Sequence, residues 1–169
     1  MKRLLLLRHG KSDWNNPDQP DIERPLNSRG QRAAALMGAY MRQRAMTPDL
    51  ILSSSAVRTR ETAQRVLAAL EAEVPLEFVP ALYLAEPKTI IDTVCAAPDT
   101  VGTLLLVGHN PGMQLAALKL SGRNSSGRRG DIEDKFPTAA LAVIEFDAAT
   151  WSGARDGDLV AFEVPKALV

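Results

Sequence analysis

An arginine, a histidine and a glycine, Arg8-His9-Gly10, follow directly on the unbroken leucine run 4–7. The only other histidine, His109, sits in the same setting, after the apolar run 104–107 and within Gly108-His109-Asn110-Pro111-Gly112. A third apolar segment, 50–52, runs into Ser53-Ser54-Ser55, with Arg58 just beyond. An imidazole nitrogen can take a phosphoryl group covalently and so divide one hard displacement into two easier ones. Guanidinium groups match phosphate oxygens with paired hydrogen bonds. Arg8, His9, Arg58 and His109 therefore describe a phosphoryl-transfer pocket. His9 is the nucleophile, the arginines bind the phosphate, and a protonated His109 would neutralise charge on the transferring oxygens. Gly10 would let the backbone come close with no side chain in the way.

Side chains so far apart in sequence converge only if their carriers end at one place. The runs 4–7, 50–54 and 103–107 are short and continuously apolar, as strands buried on both faces are. Segments 76–80, 139–147 and 159–164 are further strand candidates. Between them, helices are expected over 30–43, 56–73, 87–97 and 113–120, the first capped by Asn27 or Ser28. Alternating strands and helices predict an α/β fold, with a sheet covered by helices on both faces. Ligands of such sheets bind beyond the carboxyl ends of parallel strands, where all three polar clusters would lie. Residues 13–27, with three prolines, read as an irregular loop, and 121–135 as a flexible polar loop. Both are expected to flank the pocket, and Arg123, Arg128 and Arg129 could meet an acidic partner.

A length of 169 residues predicts one domain, 1–169. Twenty basic and twenty acidic residues cancel, which argues against a surface devoted to nucleic acid. Cys95 is the lone cysteine, so no intramolecular disulfide forms and a reducing, cytoplasmic setting is expected. The leucine run is shorter than the roughly 7–15 apolar residues of a secretory core, and nothing approaches the roughly 18 of a membrane span. Two histidines with no adjacent cluster of Cys or carboxylates make a poor metal site. No GxxxxGK[ST] stretch is present, so a P-loop nucleotide enzyme is excluded.

The segments RHGKS, SSSAVRTRETA and VGHNPGM together resemble the histidine phosphatase, or phosphoglycerate mutase-like, superfamily. The RPLNSRG segment, ALYLAEP and the GHNP form are similar to its SixA-type branch, the phosphohistidine phosphatases. The resemblance implies a three-layer α/β/α sandwich around a mostly parallel mixed sheet, with neither metal nor organic cofactor. It implies His9 as phosphoryl acceptor, with Arg8, Arg58 and His109 on the phosphate. Arg24 is a further candidate contact, and Ser12 and Asn110 would line the pocket or orient the histidines. For the proton donor it points to Glu86, with Asp21 and Glu23 as alternatives. A phosphohistidine substrate has a better leaving group than an alcohol and asks less of that acid. The implied substrate is then a phosphorylated protein. A small-metabolite phosphatase or mutase is the alternative, and a non-catalytic phosphate-dependent binding module is another, which would have no need of a nucleophile.

Overall fold

A computed structural model of the chain describes residues 1–122 and 127–168. Six strands form one sheet in the order β3-β2-β4-β1-β5-β6. They are β1 (Lys2–Arg8), β2 (Leu50–Ser53), β3 (Leu76–Phe78), β4 (Thr103–Gly108), β5 (Leu141–Phe146) and β6 (Asp158–Glu163). β1, β2, β3 and β4 run parallel, whereas β5 pairs antiparallel with both β1 and β6. The helices are α1 (Ser28–Gln43), α2 (Val57–Leu70), α3 (Pro87–Cys95), α4 (Gly112–Leu120) and α5 (Arg128–Asp134).

Two apolar layers hold the sheet, and the strand period of two explains them. Leu4 and Leu6 of β1 pack with Leu104 and Leu106 of β4, beneath Ile90 and Val94 of α3 and Met113, Ala116 and Ala117 of α4. Leu5 and Leu7 face the other way, with Leu105 and Val107, against Met37 and Met41 of α1 and Ala63, Val66 and Leu70 of α2. All four β1 leucines are fully buried, each worth roughly 1.5–3 kcal/mol over an exposed side chain. A continuous leucine run is thus what a strand sandwiched between two helical layers demands. The outcome is the expected α/β/α sandwich around a mixed sheet.

Asn27 caps α1, its side chain accepting the Gly30 N–H at 2.8 Å. The clearest departure lies in 121–135. Residues 128–134 form α5 and not a flexible loop, because Ile132 is fully buried and anchors the segment. Arg129 is taken up there as well, donating to the Leu118 carbonyl at 3.0 Å, which removes it as a handle for an acidic partner. Arg123 lies outside the described residues. The region 13–27 is largely irregular, with a single 3-10 turn at Asp21–Glu23.

Candidate active site

The helices that follow β1 and β4 lie on opposite faces of the sheet, so the chain parts between two neighbouring parallel strands. That opens a crevice at their carboxyl ends. Strand register then sets the side chains. Arg8 stands opposite Gly108, and the His9 N–H donates to the Gly108 carbonyl at 3.1 Å. His9 and His109 consequently leave the sheet edge side by side, with ring centroids 5.3 Å apart. Ser53 stands opposite Val107, which brings Ser54 level with Gly108 and its Oγ to 2.7 Å from His109 Nε2. Arg58 arrives from the first turn of α2.

One cavity of about 340 Å³ gathers these groups. Arg8, His9, Ser12, Arg58, His109 and Asn110 line it, together with Lys11, Trp14, Asp21, Leu84 and Thr138. His9 Nδ1 lies 2.6 Å from the Gly10 carbonyl. A carbonyl can only accept, so the proton sits on Nδ1 and Nε2 keeps its lone pair. Burial pushes the His9 pKa down to about 4; Arg58 and Arg8 push the same way, against the Gly10 bond and Asp21. The ring is neutral at pH 7, the state a nucleophile needs.

His109 is neutral too. Burial, then its neighbours His9 and Arg58, push its pKa down to about 3. Burial beside a second histidine and two arginines disfavours a cation on this ring, so the protonated imidazole expected from sequence calls for a bound anion. Ser54 Oγ accepts the Ala56 N–H at 3.3 Å and keeps an O–H that can donate to His109 Nε2. With that hydroxyl donating, the His109 proton sits on Nδ1, a buried atom with no hydrogen-bond partner. Arg8 Nε is likewise buried and unpartnered, while Arg8 Nη1 donates to the Phe136 carbonyl at 2.9 Å. Unpaired buried donors are costly. Two of them, on residues lining one cavity beside a second arginine, suit a ligand rich in acceptor oxygens.

The remaining residues fall into place unevenly. Asn110 donates to the same Phe136 carbonyl at 3.1 Å and accepts the Gln114 N–H at 3.2 Å, so it ties the start of α4 to the chain before β5. Of the three acid candidates, Asp21 alone lines the cavity. Glu86 and Glu23 are exposed and outside its lining. Leu84 turns with φ 48° and reaches the cavity where Glu86 does not, and Pro87 then starts α3. Asp21 is engaged through carboxylate Oδ2 and through its backbone carbonyl. Tyr83 donates to Oδ2 at 2.5 Å, Arg58 Nη2 donates to the same oxygen at 2.9 Å, and Arg58 Nη1 donates to the Asp21 carbonyl at 2.7 Å. The Tyr83 bond first, then Arg58, holds the carboxyl below its ordinary pKa, as an ionised acceptor. Arg24 is buried outside the lining, donating to the Asp13 carbonyl at 3.3 Å and lying 3.8 Å from the centre of the Trp14 ring. Its guanidinium also faces the Asp21 carboxylate, with Nε 3.9 Å from Oδ1.

Gly10 has a structural cause beyond access to a ligand. A Cβ there would stand 2.7 Å from the Gly30 carbonyl, and one on Gly30 would stand 2.2 Å from the Lys11 carbonyl. The turn after His9 lies directly against the start of α1. It is tied to α2 by Thr62 Oγ1, which accepts the Gly10 N–H at 3.0 Å and donates to the Arg58 carbonyl at 2.7 Å. Trp14, Lys11, Leu84 and Thr138 were not singled out from sequence; only the adjacency of Lys11 and Trp14 to the histidine motif hinted at their place. Among the described residues no group of three or more His, Cys, Asp or Glu could hold a metal ion, and no helix is long and apolar enough to cross a membrane.

Comparison with known proteins bears on the same features. Residues 4–83 match the model of the histidine phosphatase superfamily, branch 1. An uncharacterised protein of Mycobacterium tuberculosis is 37% identical over 95% of this chain and all of its own length. A solved structure from Agrobacterium tumefaciens that bears the name of phosphohistidine phosphatase SixA is 30% identical, with TM-score 0.83 over 97% of this chain and 98% of that one. The protein histidine phosphatase SixA complexed with tungstate shares the fold at TM-score 0.82, with 20% identity over 99% of both chains.

Proposed function

The chain belongs to the histidine phosphatase superfamily, and from that premise we propose that it is a phosphatase that passes the phosphoryl group of a phosphohistidine through His9. The observation that carries this is the His9 tautomer. Nδ1–H is held by the Gly10 carbonyl, and Nε2 keeps its lone pair on a neutral ring beside two arginines. In the first step the Nε2–P bond forms and the bond from phosphorus to the leaving group breaks, the electron pair departing with that group, which takes a proton from solvent. In the second step water adds to phosphorus, the Nε2–P bond breaks, and inorganic phosphate leaves with His9 restored. Arg8, Arg58 and His109 Nδ1–H hold the three non-bridging oxygens, with Ser12 and Asn110 at the wall.

A phosphorylated nitrogen is favoured over a phosphorylated alcohol because the pocket offers no free acid. Asp21, the one carboxylate lining it among the described residues, is ionised and committed to Arg58 and Tyr83. Imidazole leaves without the strong general acid that an alkoxide requires. Short loops and not an inserted domain border the cavity among the described residues, which suits a side chain borne on another protein. The test is acid-labile phosphate on the protein after brief mixing with an aryl phosphate or phosphoramidate, beside His9→Ala. Labile phosphate that decays to inorganic phosphate, absent from the variant, is the expected result. Hydrolysis by the variant at the wild-type rate would overturn the assignment.

A further inference from the structure

The cavity is not lined by polar groups alone. Trp14 is 67% exposed and Leu84 is 54% exposed, yet both belong to its lining. Exposed single apolar residues are ordinary, but Trp14 is not loosely held. The Arg24 guanidinium lies 3.8 Å from the centre of its ring. Arg24 is itself only 5% exposed and is pinned by the Asp13 and Gln19 carbonyls. The indole thus rests against a buried cation while most of its surface stays open to solvent. An aromatic surface whose orientation is already set loses little freedom when a ligand meets it. A flat π-face rewards a flat partner through stacking and gives less to a short hydroxylated chain.

We propose that Trp14, held by Arg24, is the specificity-determining residue of this pocket, and that it selects a planar N-phosphorylated imidazole by stacking on the leaving ring, with Leu84 as a second apolar contact. The proposal rests on the phosphatase reading above and adds to it the group that recognises the substrate. Arg8, Arg58 and His109 serve the phosphoryl group, common to every donor. Trp14 serves the part that differs between donors. The step it favours breaks the bond from phosphorus to the ring nitrogen as the bond to His9 Nε2 forms. The electron pair stays on the departing ring, which is protonated by water.

Two donors separate these contributions: N-phosphoimidazole, which carries the ring, and phosphoramidate, which carries the same P–N bond without one. The measurement is the ratio of their kcat/KM values in wild type, Trp14→Ala and Trp14→Phe. The ratio is expected to fall about tenfold in W14A and to stay within about threefold of wild type in W14F, in line with the usual worth of one stacked aromatic contact. An unchanged ratio in W14A, or equal loss on both donors in W14A and W14F alike, would overturn the role of Trp14 and leave the phosphatase reading standing. Failure of the wild type to hydrolyse either donor would remove the phosphatase reading and this proposal with it.

Discussion

Which nitrogen carries the proton decides what each of two adjacent imidazoles can do. His9 is bonded through Nδ1 to a carbonyl, which leaves Nε2 its lone pair; His109 is bonded through Nε2 to a hydroxyl, which, when it donates, leaves the N–H on Nδ1. Arg58 adds a choice of partners. Both its Nη atoms are bonded to Asp21, one to the carboxylate and one to the backbone carbonyl, while its side chain lines the anion pocket. An incoming oxyanion must share that guanidinium with a carboxylate already in contact with it. Neutralising the carboxylate while keeping its shape removes the competitor and leaves a more positive pocket. Asp21→Asn is therefore expected to bind tungstate, a tetrahedral oxyanion, a few-fold more tightly, read as its inhibition constant against an aryl phosphate. Weaker inhibition would show that Asp21 chiefly aims Arg58 and does not compete with the ligand. At this scale sequence carried the participants but not their protonation. The convergence of Arg8, His9, Arg58 and His109 followed from three like strand ends. The choice of Asp21 over Glu86 did not, because it depends on Leu84 turning at φ 48° and on an arginine across the cavity.

The elements that carry these residues meet by close backbone contact. The turn after β1 and the first turn of α1 touch through Gly10 and Gly30, and a Cβ on Gly30 would lie 2.2 Å from the Lys11 carbonyl. The obstructing atom is backbone, so the contact cannot be relieved by moving one flexible side chain. Gly30→Ala should force the turn bearing His9 and Ser12 away from α1. We expect a loss of about 1–3 kcal/mol in urea unfolding, the ordinary cost of overpacking, with a fall in kcat/KM larger than the stability change explains. A variant with wild-type stability and activity would show that the turn has slack. The helical gain of alanine over glycine, under about 1 kcal/mol, works the other way and makes a net loss the more telling. Elements with continuous apolar runs or a wide apolar stripe were legible in the sequence to within a few residues: the strands from 2, 50 and 103, and the long helices α1 and α2. α5 was not, since its seven residues RRGDIED hold one large apolar side chain and a glycine. What orders it is Ile132 in the core and contacts to α4, a tertiary cause that local pattern does not contain. The second role of Gly10 was out of reach for the same reason: its neighbour is Gly30, twenty positions on.

Across the whole molecule the pocket is an electrostatic weakness in an otherwise balanced chain of twenty acidic and twenty basic residues. Two arginines and two imidazoles converge on one cavity, and Asp21 is the one carboxylate lining it among the described residues. Such a site holds its histidines neutral at the expense of stability in acid, and the sign can be worked through. Unfolded histidine titrates near 6.5, whereas folded His9 and His109 titrate at about 4 and about 3. Between pH 6.5 and pH 4 the unfolded chain binds protons on both rings that the folded chain refuses. Stability must fall as pH falls through that window, by up to about 2.7 kcal/mol per pH unit for two such groups. The decline from this source ends once the folded rings also take their protons. Asp21, whose folded pKa is depressed, contributes a loss of the same sign at lower pH, as its carboxylate is protonated. Urea unfolding at pH 7.5, 6, 5 and 4.5 separates the histidines from the rest. Wild type should lose stability more steeply than the His9→Asn, His109→Asn double variant, which cannot titrate at either position. Parallel curves would mean that the imidazoles already accept protons in the folded protein, and that the cavity is better solvated than the burial of both rings implies. A bound oxyanion should flatten the wild-type curve. It supplies the negative charge the pocket lacks, raising both folded pKa values, and it binds only the folded chain. Tungstate at saturation is therefore expected to raise the midpoint more at pH 5 than at pH 7.5 in wild type, and to lose that difference in the double variant.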